Sequence, residues 1–141
     1  MNISFKAFDY LTDDSKYIRT IVFVNEQAFK EEFDDNDKHA LHILMFDAEK
    51  AIGNARVVYS KEHNSYVIGR VAILREYRGY HLGVELMKFV GQEIIKRFGH
   101  IQIGVSAQKR AIDFYKKVGY QTASEMYLEE NYPHIWMVKQ L

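Results

Sequence analysis

Cysteine is absent from the 141 residues, proline occurs once, and 19 basic side chains are matched by 19 acidic ones, leaving no formal net charge. The missing thiols exclude a disulfide framework, a thiolate nucleophile and a cysteine zinc site. Balanced charge argues against a sequence-independent nucleic-acid binder, whose affinity comes from Lys and Arg neutralising phosphates. Long apolar runs are missing too: stretches such as residues 21–24 fall far short of the roughly 18 residues a membrane-spanning helix needs. Residues 1–10 carry Lys6 and Asp9 within a polar/apolar alternation and so lack the apolar core of a signal peptide. Neither a nucleic-acid nor a membrane partner is expected, and a cytoplasmic location is. No Pro/Gly/Ser-rich linker or internal repeat divides the chain, so a single domain over residues 1–141 is predicted.

What is present suffices for a core. A hydrophobic fraction of 48%, with 10 Tyr, 9 Phe and one Trp, excludes a disordered chain. Ile3, Phe5 and Ala7 alternate with Ser4 and Lys6 as a first strand. The cluster Thr12-Asp13-Asp14-Ser15 can cap a helix carrying Tyr17, Ile18, Ile21, Val22 and Phe29. The acidic run from Glu31 to Asp37 reads as a solvated loop. Residues 40–47, 51–59 and 66–74 predict an antiparallel meander. From Tyr80 to Arg97 the apolar period becomes helical, with Gly99 as the stop; residues 100–107 return to a strand. Ala111, Phe114, Tyr115 and Val118 then fit a short helix ended by Gly119. Two final strands are predicted near residues 120–127 and 135–140, flanking a turn over residues 129–133. The order β-α-β-β-β-α-β-α-β-β implies an α+β fold with helices on both faces of a mixed sheet.

The most informative stretch is Val71-Ala72-Ile73-Leu74-Arg75-Glu76-Tyr77-Arg78-Gly79-Tyr80-His81-Leu82-Gly83, an apolar strand running through a basic turn into a helix. Such a turn aims backbone N–H groups and the positive end of a helix dipole at one point, which suits phosphate. Gly79 permits positive φ or close approach, and Arg75 and Arg78 add charge-assisted donors. The same pattern is also an ordinary structural connection. It is neither a Walker loop nor the three-glycine dinucleotide fingerprint.

The segment resembles motif A of the Gcn5-related N-acetyltransferases (GNAT), in which Arg or Gln, two residues, Gly, one residue, then Gly or Ala wraps the pyrophosphate of acetyl-CoA. Arg78 and Gly83 match its first and last positions, while His81 replaces the middle Gly. Further resemblance, to the ElaA-like and YjcF-like branch, lies in Ile18-Arg19, Val22-Phe23-Val24 and Glu26-Gln27. It continues through Asp34 to Asp37 with Ala40-Leu41-His42, Ala107-Gln108, Ala111-Ile112, Phe114-Tyr115, Gly119-Tyr120 and the ending Pro133-His134-Ile135.

The resemblance implies the acyl-CoA N-acyltransferase fold: a mostly antiparallel sheet whose central parallel strands, residues 66–74 and 100–107, splay apart to admit acetyl-CoA. The main chain of Val71, Ala72 and Ile73 would then pair with the pantetheine amides, and Arg78, Gly79, Tyr80, His81, Leu82 and Gly83 would hold the pyrophosphate. Tyr115 occupies the position of the acid that protonates the departing thiolate, or is amphipathic packing. Glu26, Asp37 and His42 fall on the acceptor side as candidate bases, with a water chain as the alternative. His42 is chemically the best suited, because its ordinary pKa lies nearest neutrality; Glu26 equally suits finishing the first helix. Lys109 and Arg110 read as a CoA phosphate contact or as solvated surface. His39 and His42, three apart on a predicted strand, would point to opposite faces, so no metal is expected.

The implied activity is acetyl-CoA-dependent transfer of an acetyl group to a primary amine of a small molecule or peptide, without a covalent enzyme intermediate. The alternative is a non-catalytic acyl-CoA sensor on the same fold. The acidic run would attract a cationic amine. Tyr127, Tyr132 and Trp136 read equally as a homodimer face or as core.

Overall fold

A computed structural model describes residues 1–30 and 32–141. In chain order it contains β1 (Ile3–Phe8), α1 (Asp13–Arg19), β2 (Leu41–Asp47), β3 (Lys50–Ser60), β4 (Ser65–Ile73), α2 (Leu82–Phe98), β5 (Gln102–Gln108), α3 (Ile112–Lys117), β6 (Gln121–Thr122), β7 (Tyr127–Glu129) and β8 (Tyr132–Gln140). The strands form one sheet in the order β1-β2-β3-β4-β5-β8-β6, with β7 also paired to β8. Every described pairing is antiparallel except β4 with β5. This is the expected α+β layering. Side chains alternate across the pleat, so Ile43 and Met45 of β2 join the core beneath α2 and α3, whereas Leu44 faces α1. Leu86, Val90 and Ile94 form the buried stripe of α2, and Ile18, Val22 and Phe23 cover the opposite face. Each such fully buried aliphatic side chain contributes about 1.5–3 kcal/mol relative to exposure.

Thr12 caps α1 as predicted, its hydroxyl accepting from the Ser15 amide at 3.0 Å. The helix itself departs from a regular period. After Arg19 it widens into a π-helical segment, Thr20–Glu26, and Phe29 lies beyond it. The wider turn sets Val22 and Phe23 side by side against the sheet, while Tyr17, expected on the apolar face, is exposed. The carboxy-terminal turn is tighter than expected: Glu130 and Asn131 take positive φ, and Tyr132 and Pro133 already belong to β8. Residues 120–127 are mostly not a strand, since only Gln121–Thr122 pair with β8 before β7 begins.

The central irregularity is in β4. Asn54 pairs with Ala72 and Arg56 with Gly69, so Arg70 and Val71 face the single residue Ala55. Arg70 completes this β-bulge with φ of 53°, in the left-handed region. The buried Asn54 fills the resulting gap in the ladder: its Nδ2 donates to the Arg70 carbonyl at 2.9 Å, and its Oδ1 accepts from the Ser15 hydroxyl at 2.6 Å. Pairing with β5 stops beside the bulge, being confined to Val67 with Gly104 and Ile68 with Val105. Beyond that point the two parallel strands separate, as the resemblance implies.

The acidic run is not a solvated loop. Glu31 lies outside the described residues, but Glu32 and Asp37 are buried, and Asp34 opens a short 3-10 turn, Asp35–Lys38, with a capping box. Three guanidinium groups meet these carboxylates. Arg19, fully buried, donates to Asp37 at 2.8 Å and pairs with Glu32; Arg56 bridges Asp34 and Asp37; Arg70 reaches Glu32 and Asp34. Burial by itself would raise the Asp37 pKa, but hydrogen bonds from Arg19, the Asp34 amide and Arg56 outweigh it and hold the carboxyl down at about 2.

Two outcomes are expected. Asn54→Ala leaves the Arg70 carbonyl and Ser15 hydroxyl without their partner and costs about 1–3 kcal/mol in urea unfolding. Asp37→Asn leaves buried guanidinium charge undercompensated and costs about 3 kcal/mol at pH 7. Because the folded Asp37 pKa is depressed, its stabilisation exists above the ordinary value of 3.8 and is lost as pH falls toward about 2. The stability gap between the wild-type chain and Asp37→Asn therefore closes over that interval.

Candidate active site

Where β4 and β5 part, the sheet opens into a cavity of about 930 Å³. Ile68, Gly69, Arg70 and Val71 line one side and Ser106 and Gln108 the other, with Tyr115 of α3 between the strands. The segment after α1 covers the opening: Phe23, Phe29 and Phe33 form an apolar wall, and Gln108 donates to Gln27 at 3.0 Å. Arg110 also borders the cavity, its guanidinium 5.3 Å from the Tyr132 ring centre, so it is not merely solvated surface.

A second cavity of about 300 Å³ lies where the basic turn enters α2. It brings together Ile73, Arg78, Gly79, His81, Leu82 and Gly83. Gly79 takes φ of 90° and His81 takes φ of 60°, so the residue replacing the motif glycine adopts the backbone conformation a glycine would supply, at a cost of about 1 kcal/mol. Gly83 fits close packing, since a Cβ there would lie 3.1 Å from the Phe114 ring. His81 gives α2 no side-chain cap, so backbone donors of the first turn remain available to an anion. The Arg78 guanidinium donates to the Ile73 carbonyl at 2.8 Å and to Glu26 at 3.0 Å. Of the remaining expected contacts, Val71 borders the larger cavity, the Ala72 side chain is buried and Tyr80 is exposed.

Tyr115 lines the larger cavity at the edge of the core, packed edge-on to Phe114 and Tyr120. Burial raises its phenol pKa well above the ordinary range, so the hydroxyl is protonated at neutral pH, though a weaker acid than a free phenol. The three expected bases are placed differently. Glu26 is held by Arg75 and Arg78 and does not border the larger cavity. Asp37 is locked between Arg19 and Arg56. His42 is fully buried beside neither cavity, its Nε2 donating to the Asp37 carbonyl at 2.9 Å. Burial pushes its pKa down, and Asp37 opposes this only in part. His39 ends the 3-10 turn rather than occupying a strand, so strand alternation does not separate it from His42; among the described residues no group of three or more His, Asp or Glu is placed to hold a metal.

The cavity is also lined by Ser106, Glu129 and His134, to which no site role is assigned from sequence, with Tyr127 behind them. Ser106 is hydrogen-bonded to the Tyr127 hydroxyl at 2.5 Å and donates to Glu129 at 3.1 Å, while His134 Nε2 lies 3.5 Å from the Glu129 carboxylate. The available signal is period two: Ser106 and Gln108 share the face of β5 opposite the apolar Ile103, Val105 and Ala107, and β8 places His134 opposite Gln108. Lone arginines within apolar segments, Arg19, Arg56 and Arg70, similarly announce partners in the acidic run.

Residues 13–141 match the acetyltransferase (GNAT) domain family. The chain is 32% identical over 129 residues to YjcF of Bacillus subtilis, an uncharacterized N-acetyltransferase, covering 89% of this chain and 90% of YjcF. The crystal structure of Escherichia coli ElaA superposes with a TM-score of 0.84 at 26% identity, over 97% of this chain and 99% of ElaA. A GNAT family acetyltransferase from Elizabethkingia anophelis with acetyl-CoA bound shares the fold, with a TM-score of 0.77 at 15% identity over 99% of each chain. No described helix is long and apolar enough to cross a membrane. With its parted parallel strands, its glycine-type turn into α2 and this family match over most of its length, the chain belongs to the GNAT acetyltransferases.

Proposed function

We propose that residues 1–141 act as one cytoplasmic catalytic domain that transfers the acetyl group of acetyl-CoA directly to a primary amine. The observation that carries this reading is the gap between β4 and β5, along which Val71 borders the larger cavity and Ile73 the smaller. The acetyl-CoA bound by the Elizabethkingia relative of the same fold supports the choice of cosubstrate. It supplies an activated acyl group; the chain must hold it, exclude water and handle two protons.

Arg78 and the backbone of Gly79 to Gly83 fit the pyrophosphate, because the first turn of α2 is uncapped and the turn already has the required left-handed residues. Arg78 would exchange Glu26 for phosphate there. The edge of Val71 to Ile73 that β5 leaves unpaired is available to the pantetheine amides. Tyr115 faces the larger cavity with its proton retained and serves as donor to the departing sulfur. The acceptor enters beneath Phe23, Phe29 and Phe33, which favours an amine carrying an apolar or aromatic body.

Thermal unfolding with acetyl-CoA tests the binding half: at a hundredfold excess over Kd, ligation stabilises the native state by about 2.7 kcal/mol. Release of CoA with 2-phenylethylamine, spermidine or a short peptide with a free amino terminus tests transfer. Tyr115→Phe is expected to lower that release about 100-fold while keeping the acetyl-CoA stabilisation. Unchanged release would remove the donor role, and binding without release by the wild-type chain would leave only an acyl-CoA sensor.

A further inference from the structure

We propose that His134 is the proton acceptor for the attacking amine and that Glu129 stabilises the imidazolium it becomes. This rests on the transfer reading above and assigns the base that Glu26, Asp37 and His42 are not placed to provide.

His134 is only 4% exposed and is one of the residues lining the larger cavity. Its ring is fixed on both sides. Nδ1 lies 2.7 Å from the Tyr132 carbonyl oxygen. A carbonyl oxygen only accepts, so Nδ1 carries a proton, and whenever the ring is neutral its lone pair lies on Nε2. That nitrogen lies 3.5 Å from Glu129 Oε2, and a carboxylate also only accepts. The unprotonated ring therefore sets a lone pair beside an anion, and a proton arriving on Nε2 turns this contact into a charge-assisted one. The nitrogen is built to receive a proton.

Glu129 is itself positioned. Its Oε1 accepts from Ser106 at 3.1 Å, and Ser106 is tied to Tyr127. The tight hairpin through Glu130 and Asn131 sets Tyr127 directly opposite His134, so Glu129 is the diagonal neighbour on the same face. The Tyr127 ring packs nearly parallel to the imidazole, at 20° and 6.2 Å between centres. Three strands, β5, β7 and β8, thus converge on one base at the wall of the cavity that Tyr115 also borders.

In the step, the amine N–H proton passes to His134 Nε2 and the nitrogen lone pair forms the N–C bond. The thioester C–S bond breaks, and the sulfur electron pair takes the proton of the Tyr115 hydroxyl. His134 then gives its proton to solvent and Tyr115 recovers one. An acceptor arriving as ammonium first loses its extra proton by the same route.

Two measurements on the full chain test the assignment. Long-range 1H–15N spectra of the ligand-free protein at the assay pH are expected to show the Nδ1–H tautomer at His134; the Nε2–H tautomer, or a ring protonated on both nitrogens, would overturn the proposal whatever the amine. H134N retains an N–H where Nδ1 donates to the Tyr132 carbonyl but removes Nε2. Its CoA release with 2-phenylethylamine, spermidine or the peptide should fall about 100-fold, with acetyl-CoA affinity by calorimetry unchanged, and E129Q should fall about tenfold. H134N as active as the wild-type chain would overturn this inference alone. Absence of release by the wild-type chain with acetyl-CoA bound would overturn the transfer reading, and the base assignment with it.

Discussion

The cleft depends on one hydrogen bond, from Asn54 to the Arg70 carbonyl. A strand that gains a residue must kink, and its orphaned carbonyl needs a partner if it is buried. Asn54 supplies that partner from the neighbouring strand, and Ser15 of α1 fixes the amide's orientation. With the kink held there, β4 keeps its pairing to β3 on one edge and departs from β5 on the other. The departure creates the space and the free backbone edge. Arginine at a left-handed position costs about 1 kcal/mol compared with glycine, but its guanidinium reaches Glu32 and Asp34 from that position.

Those contacts connect the bulge to the acidic run and change the meaning of the chain's neutrality. Arg19, Arg56 and Arg70 meet Glu32, Asp34 and Asp37 in a partly buried cluster that balances locally. Desolvating such charges offsets much of their attraction, so the cluster is a device of placement more than of stability. It pins the segment carrying Phe29 and Phe33 over the cavity. Its carboxylates are committed to guanidinium groups, so they are not the attractor for a cationic amine that the bare run suggests. Away from this cluster, the carboxylates lining the cavity are Glu129 and Glu130, on the β7–β8 hairpin.

Much of the fold was legible because local rules and packing agree. Thr12 reads as a cap and is one, and Leu86, Val90 and Ile94 read as a buried helical stripe and are one. The turn from Arg78 to Gly83 reads as a phosphate cradle, and in the structure Gly79 and His81 take positive φ while Gly83 packs closely against Phe114. What was not legible depends on register. A single extra residue at Arg70 has no signature in residue types, and without it Asn54 and Arg56 have no visible purpose. His42 looked chemically apt, yet which neighbours enclose a strand histidine is decided by the sheet on either side. His134 was hidden for the converse reason: its significance comes from Glu129 and Ser106, brought to it by a hairpin and a ladder rather than by spacing along the chain.

Since the bulge leaves one backbone edge of β4 unpaired, acetyl-CoA should complete it. Hydrogen exchange of the backbone amides of Val71 and Ile73, measured with and without saturating acetyl-CoA, reads that edge directly. Slowed exchange at these residues, together with the first-turn amides of α2 and with little change along β1 and β2, is the expected result. Acetyl-CoA binding that leaves Val71 and Ile73 exchanging as in the free chain would contradict the account.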